Sequence, residues 1–242
     1  FLMIRRPPWS TLSSSSAASD VYKRQVLAKL TREYNLKQFI HISALGINEA
    51  TDSNYAISKL EGENNILKNF PAATILRPSI VFSNSDNFST QFMTLLRRLP
   101  VFPLYYSGKT KFMPLHAADL SDIIYHILSN KIETQVIECV GPEILTFKEI
   151  LEILLNLMNK KRLLIPFPLP VAKLSAKFFQ LLPKPLLTED QLRLLKYDNV
   201  LSGKYKNNND FEFNCSSRFE DEVNKYSYMW KNEGEYSKKR IN

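Results

Sequence analysis

Gln38-Phe39-Ile40-His41-Ile42-Ser43 and Ala73-Thr74-Ile75-Leu76-Arg77-Pro78 are the two short runs on which the reading of the fold turns. Both are rich in β-formers. The first is stopped by Gly46 and the polar stretch Asn48 to Asn54, the second by Arg77-Pro78. Between them Ser53 can cap a helix running from Asn54 to Lys68. Strand, helix, strand is the repeating unit of a parallel sheet.

Working outward, Val26, Leu27, Leu30 and Tyr34 have helical spacing, and Asn35 ends that helix. Downstream, Phe88 to Leu99 is expected to be helical, Lys111 to His116 extended, Asp119 to Leu128 helical, and Gln135 to Val140 a strand before Gly141-Pro142. The expected fold class is α/β: a truncated Rossmann-like doubly wound parallel sheet with helices on both faces, over 26–145. From Thr146 the chain changes character. Thr146-Phe147-Lys148-Glu149 has capping-box spacing and opens a helix with Phe147, Ile150, Leu151, Leu154 and Met158 on one face. Pro166, Pro168 and Pro170 break the chain, a helix is expected from Val171 to Leu182, and Thr188-Glu189-Asp190-Gln191 caps another. This smaller helical region is placed at 146–203. After Gly203 the drift to Asn, Lys and Glu predicts a loosely packed tail over 204–242.

Composition narrows the class. With 44% hydrophobic and 23% charged residues the chain reads as globular, which excludes disorder throughout and a collagen-like repeat. Six glycines are few for a complete nucleotide-binding protein, whose phosphate loop alone uses three. Cys139 and Cys215 form no C-x-x-C pair, so neither a disulfide scaffold nor a thiolate zinc site is written here, and a reducing compartment is expected. The formal charge of +8 is partly carried by Arg5, Arg6, Lys23, Arg24 and the terminal Lys238-Lys239-Arg240, without interleaved aromatics, so nucleic acid is not an expected partner. No run of 18 uncharged apolar residues exists, so no transmembrane helix is expected. Residues 1–25, FLMIRRPPWSTLSSSSAASDVYKRQ, have neither helical nor strand periodicity and resemble adapter-derived sequence read through as protein. They are expected to be a non-native segment and are excluded from the fold reading.

Tyr55-Ala-Ile-Ser-Lys59 is the most informative pentapeptide. On a helix, i and i+4 share a face, where the ammonium favours the phenolate. A unit charge at about 4 Å in an effective dielectric of about 20 is worth about 4 kcal/mol, enough to bring a tyrosine toward acid/base work near neutral pH. A second Y-x-x-x-K, Tyr105 to Lys109, contains Gly108 in a turn-like segment and is expected to be a chance match. His41, His116 and His126 lack metal or triad spacing, and Asp119 reads as a helix cap; no metal site is expected. Leu174, Phe178 and Leu181 with Lys173 and Lys177 describe an amphipathic helix that suits either core packing or docking to a membrane surface or partner.

Phe39-Ile40-His41-Ile42-Ser43-Ala44, Tyr55 to Lys59 with Glu61-Gly62-Glu63, and Ile75-Leu76-Arg77-Pro78-Ser79-Ile80-Val81-Phe82 together resemble the second half of an extended short-chain dehydrogenase/reductase, the group that includes NAD-dependent epimerases and dehydratases. Pro166-Phe167-Pro168-Leu169-Pro170, and Leu187-Thr188-Glu189-Asp190-Gln191-Leu192 to Asp198-Asn199-Val200, are similar to the nucleotide-binding accessory subunit of respiratory complex I and its alphaproteobacterial relatives. The resemblance spans about Val26 to Gly203. It implies that Ser43 hydrogen-bonds a substrate oxygen and that Tyr55 is the acid/base. It implies that Lys59 binds the nicotinamide ribose while polarising Tyr55, and that the backbone at Arg77, Pro78 and Ser79 borders the nicotinamide. The implied cofactor is NAD or NADP. The phosphate-binding glycines and the residue that chooses between them are not found in the sequence, so weak dinucleotide binding is expected of these residues alone. The implied function is an accessory or assembly subunit related to respiratory NADH:ubiquinone oxidoreductase, with a catalytic epimerase, dehydratase or reductase as the alternative. Implied partners are the dinucleotide, respiratory complex subunits and a membrane surface. The implied location is cytoplasmic, peripheral on the inner membrane.

Overall fold

A computed structural model describes residues 26–167, 189–232 and 234. Its centre is a four-stranded sheet in the order β1 (Ile40–Ile42), β2 (Thr74–Pro78), β7 (Val136–Cys139), β10 (Lys206–Asn207). All three pairings are parallel, with Ile40 opposite Thr74, Ile75 opposite Val136 and Lys206 opposite Ile137. Parallel neighbours need crossovers, and helices supply them: α2 (Asn54–Asn69) links β1 to β2, and α4 (Ala117–Ser129) leads into β7. Ser53 caps α2 as expected, its hydroxyl accepting from the Ala56 N–H.

β2 is buried along its whole length, and successive residues face opposite layers. Ile75 packs with Ala28 of α1 (26–33) and Ile66 of α2, whereas Leu76 packs with Leu120, Ile123 and Ile127 of α4. Both faces of the sheet are therefore covered, which is the doubly wound arrangement. Leu76 and Ile75 are each 0% exposed, so truncating either to alanine costs about 2–5 kcal/mol. Among the described residues β1 is an outer strand, and its Ile42 is exposed.

A second core lies beside the sheet. Short strands β3 (Val81–Phe82) and β6 (Leu115–His116) pair in parallel, as do β4 (Val101–Leu104) and β9 (Leu163–Pro166), while β5 (Lys111–Phe112) and β8 (Leu145–Thr146) are antiparallel. Helix α3 (Ser89–Arg98) and helix α5 (Phe147–Leu157) bury Met93, Leu96, Phe147 and Leu154 among Phe82 and Phe88. The capping box of α5 forms: the Thr146 hydroxyl accepts from the Glu149 N–H at 3.2 Å, and the Glu149 carboxylate accepts from the Thr146 N–H at 2.7 Å.

The structure departs from the expected division in two respects. Residues 206–230 are not a loose tail: β10 joins the main sheet, and α7 (Phe219–Ser227) with Trp230 enters the second core, where Phe219 and Val223 are 0% exposed. Aromatic residues scattered among Asn and Lys conceal this, because α7 exposes charge on one side and buries Phe219, Val223 and Tyr226 on the other. Nor is the second core confined to 146–203, since α3, β4 and α7 build it together with α5. The helix expected at 171–182 and residues 1–25 lie outside the described residues. The Tyr105–Gly108 segment is a tight turn with Tyr106 at φ 50° and Ser107 at φ 56°, so Tyr105 and Lys109 share no helical face.

Candidate nucleotide-binding site

β1 and β2 deliver their C-terminal ends to one edge of the sheet, the place where open α/β folds bind ligands. Ser43 follows β1. Its N–H donates to Leu76 O at 2.7 Å, which continues the ladder, and its hydroxyl is buried with no hydrogen-bond partner among the described residues. A buried hydroxyl left in that state costs free energy, so it marks a position suited to a polar atom of a ligand. The chain then turns at Gly46, whose φ of +76° favours glycine, and enters α2.

Tyr55 stands in the first turn of α2 and Lys59 one turn further on, both half-buried. The Lys59 ammonium lies 5.7 Å from the centre of the Tyr55 ring and donates to Ile42 O at 3.4 Å. The i, i+4 arrangement inferred from the sequence therefore forms, with the cation over the ring. Lys59 thus links Tyr55 to the end of β1, where Ser43 follows Ile42.

Arg77, Pro78 and Ser79 are placed differently. The Arg77 guanidinium is turned into the protein, donating to Glu63 of α2 at 3.0 and 2.6 Å with the Tyr205 ring 4.7 Å away. Burial opposes that charge, but hydrogen bonding to Glu63 and the Glu63 charge outweigh it and carry the Arg77 pKa upward. Pro78 O accepts from the Leu45 N–H, and the Ser79 N–H donates to Cys139 O. The Ser79 hydroxyl donates to the Asn199 side-chain oxygen at 2.7 Å and accepts from the Met113 N–H at 3.3 Å. The expected cofactor contacts of these three residues are thus not open hydrogen-bonding groups, because the protein itself engages them.

Sequence reasoning missed the segment that closes this edge. Thr188 to Gln191 was expected to cap its own helix, and α6 (Glu189–Leu194) does form. Asp190, however, reaches the N-terminus of α2, accepting from the Asn54 N–H at 2.8 Å and the Tyr55 N–H at 3.1 Å. Asn199 binds Ile80 N–H and Leu45 O through its amide, while its N–H donates to Lys111 O. The only local sign is the Asp198-Asn199 pair, which does not identify partners.

Elsewhere, Asp119 accepts from the Ser217 hydroxyl at 3.0 Å and so anchors residue 217 instead of capping α4, whose N-cap is His116. His116 Nε2 lies 4.0 Å from Glu222, and its ring packs on Phe82. Among the described residues no group of three or more His, Cys, Asp or Glu side chains is arranged to hold a metal. Burial pushes the Cys139 thiol well up and the Cys215 thiol up to about 12, so neither is a thiolate near neutral pH. No described helix is long and apolar enough to cross a membrane.

A parallel sheet covered on both faces, with helices as crossovers, defines an α/β protein with a Rossmann-like fold. Solved structures agree: UDP-glucuronic acid 4-epimerase from Bacillus cereus, in complex with UDP-glucuronic acid and NAD, matches with a TM-score of 0.63 and 17% identity, over 92% of this chain and 71% of that one. The dTDP-glucose 4,6-dehydratase DesIV from Streptomyces venezuelae, with NAD bound, matches with a TM-score of 0.64 and 15% identity, over 90% of this chain and 66% of that one. At such identities the likeness carries the fold.

Sequence similarity is to a more particular group, the NADH dehydrogenase (ubiquinone) 1 alpha subcomplex subunit 9 of mitochondria. The Arabidopsis thaliana protein is 26% identical over 73% of this chain and 47% of its own length, and the Mus musculus protein 29% identical over 73% and 48%. The Dictyostelium discoideum protein is 30% identical over 57% of this chain and 38% of its own. The chain thus spans about half the length, or less, of the curated relatives it matches. No protein-family model matches it.

Proposed function

We propose that this chain is part of an NAD(P)-binding accessory subunit of a respiratory NADH:ubiquinone oxidoreductase. The observation that carries the reading is the similarity over 73% of the chain to mitochondrial subunits of that complex, a stretch too long to be the Tyr/Lys motif alone. The site geometry supports a dinucleotide whose nicotinamide end lies beside Ser43, Tyr55 and Lys59. In this reading Lys59 holds the ribose hydroxyls and Tyr55 orients the adjoining ring. Residues 77–79 supply shape, since their polar groups are engaged internally. A bound dinucleotide would bring the capacity to give or accept hydride. Its place is peripheral, on the face of the membrane where the complex meets NADH, which is the cytoplasmic face in a bacterium. The proposed functional division assigns 26–145 to the dinucleotide end and 146–203 to substrate or docking, with residues 190–199 also closing the dinucleotide end.

Epitope-tagging the chain in its native host, solubilising membranes in mild detergent and separating native complexes tests this. The tag is expected to migrate with NADH:ubiquinone oxidoreductase activity; migration only as a free protein would overturn the reading.

A second reading, an NAD(P)-dependent epimerase, dehydratase or reductase, is favoured by one observation. The Ser43 hydroxyl is buried and unpartnered among the described residues, and Lys59 of the Tyr/Lys pair donates to O of Ile42, the residue before Ser43, an arrangement that a site binding a substrate oxygen can use. Ser43 would hold the substrate oxygen while Tyr55, its phenolate favoured by Lys59, passes the proton. Turnover of nucleotide sugars or ketones that disappears in Tyr55→Phe would establish it.

A further inference from the structure

The carboxylate of Asp190 is bonded to the turn on which Tyr55 stands, although the two residues are 135 positions apart in the chain. Its Oδ1 accepts from the Asn54 N–H at 2.8 Å, and its Oδ2 accepts from the Tyr55 N–H at 3.1 Å and the Ser53 hydroxyl at 3.0 Å. The Ser53 hydroxyl oxygen in turn accepts from the Ala56 N–H. The first amides of a helix have no partner within it, and its positive end favours an anion. Here that anion comes from outside the sheet domain. The same segment grips the preceding loop: Arg193 donates to Asp52 O at 2.8 Å, and the Tyr197 hydroxyl donates to the Asp52 carboxylate at 2.9 Å. Leu194 and Tyr197 pack against the buried cluster of Ile47, Ala50 and Ala56. At its far end Asn199 ties Leu45, Ile80 and Lys111 together.

We propose that Asp190 is a positioning residue for the nicotinamide end of the site. By fixing the first turn of α2 it fixes where Tyr55 and Lys59 stand relative to Ser43. The nicotinamide end is thus completed by residues 190–199 and not by the sheet and its crossover helix alone. A helix frays from its ends, and Tyr55 is the second residue of α2, so it is more sensitive to loss of the cap than Lys59 one turn later. Small displacements of a positioning group have large effects on what it holds. The adenosine and pyrophosphate end of a dinucleotide touches neither Tyr55 nor Lys59 in this arrangement. Loss of Asp190 should therefore affect nicotinamide binding selectively.

The effect on NADH rests on the dinucleotide site proposed above; the effect on the helix does not. Asp190→Ala, Asp190→Asn and, as a control of similar local cost, Thr146→Ala are made in the full chain. NADH and ADP, which lacks both the nicotinamide and its ribose, are titrated by calorimetry, and amide hydrogen exchange is followed at residues 54–56. Asp190→Ala is expected to weaken NADH about tenfold and ADP by less than about twofold, and to speed exchange at 54–56 by about tenfold or more, each tenfold being about 1.4 kcal/mol. Asp190→Asn, which keeps one acceptor, should fall between, and Thr146→Ala should move none of these. Equal losses for both nucleotides, or unchanged NADH affinity, would overturn the positioning role. Should the unsubstituted chain bind neither nucleotide measurably, exchange alone decides: unchanged protection at 54–56 in Asp190→Ala would overturn the proposal, and accelerated exchange would support it.

Discussion

Glu63→Gln is the substitution whose consequence follows most directly from the structure. Arg77, at the end of β2, donates two hydrogen bonds to Glu63 on α2, and the side chains are only 6% and 4% exposed. The amide would keep the volume and one acceptor but remove the charge and one charge-assisted bond, leaving a buried guanidinium without a counter-ion. Breaking one partner of such a pair costs about 3–5 kcal/mol, and the retained acceptor places Glu63→Gln near the lower end, about 3 kcal/mol. For a chain of this size that corresponds to a fall in Tm of about 6–12 °C. Urea denaturation followed by circular dichroism measures it, with Glu63→Leu combined with Arg77→Met as the comparison. The double variant should lose less than Glu63→Gln, because it removes both charges together. A loss below about 1 kcal/mol for Glu63→Gln, or a double variant less stable than the single, would refute the view that this pair is buried and mutually dependent. The pair also joins α2 to β2, so Glu63→Gln should loosen the helix that carries Tyr55 and Lys59.

Gly141→Ala would place a Cβ 1.8 Å from Pro114 O, so the turn after β7 must move; a loss at the upper end of about 1–3 kcal/mol is expected in urea denaturation. Asp86 accepts from the N–H groups of Phe88, Ser89 and Thr90 at the start of α3, and Asp86→Ala should cost about 1–2 kcal/mol by the same assay. Hydrogen bonds from the Thr146 N–H and hydroxyl hold the Glu149 pKa below its usual 4.5. A carboxylate lowered in the folded state contributes stability that is present above its unfolded pKa and lost as pH falls through the folded one. Stability measured from pH 6 down to pH 3 should therefore fall less steeply in Glu149→Gln than in the unsubstituted chain.

The local elements were legible because their signals are local. Ser53 before α2, the Thr146/Glu149 capping box and the β-rich runs at 40–42 and 74–78 each depend on residues within a few positions of one another. The Tyr55/Lys59 pair was readable for the same reason, since helical spacing alone brings the two side chains together. Even the parallel sheet followed, because strand, helix, strand permits few other arrangements.

What only the tertiary structure decided is which polar groups meet across the chain. The backbone at Arg77 was read as bordering a cofactor; that its side chain is committed to Glu63 and Tyr205 in the interior was not legible. The stretch Thr188 to Gln191 was read only as the start of a helix, and that Asp190 within it caps α2 was not legible, nor that Asn199 joins Leu45, Ile80 and Lys111. Residues 206–230 looked solvated and instead add a strand and a helix to the two cores. A hydrophobic face announces itself by periodicity along the sequence. A single carboxylate or amide has no period, and its partner is chosen only when distant segments pack and leave unsatisfied donors within its reach.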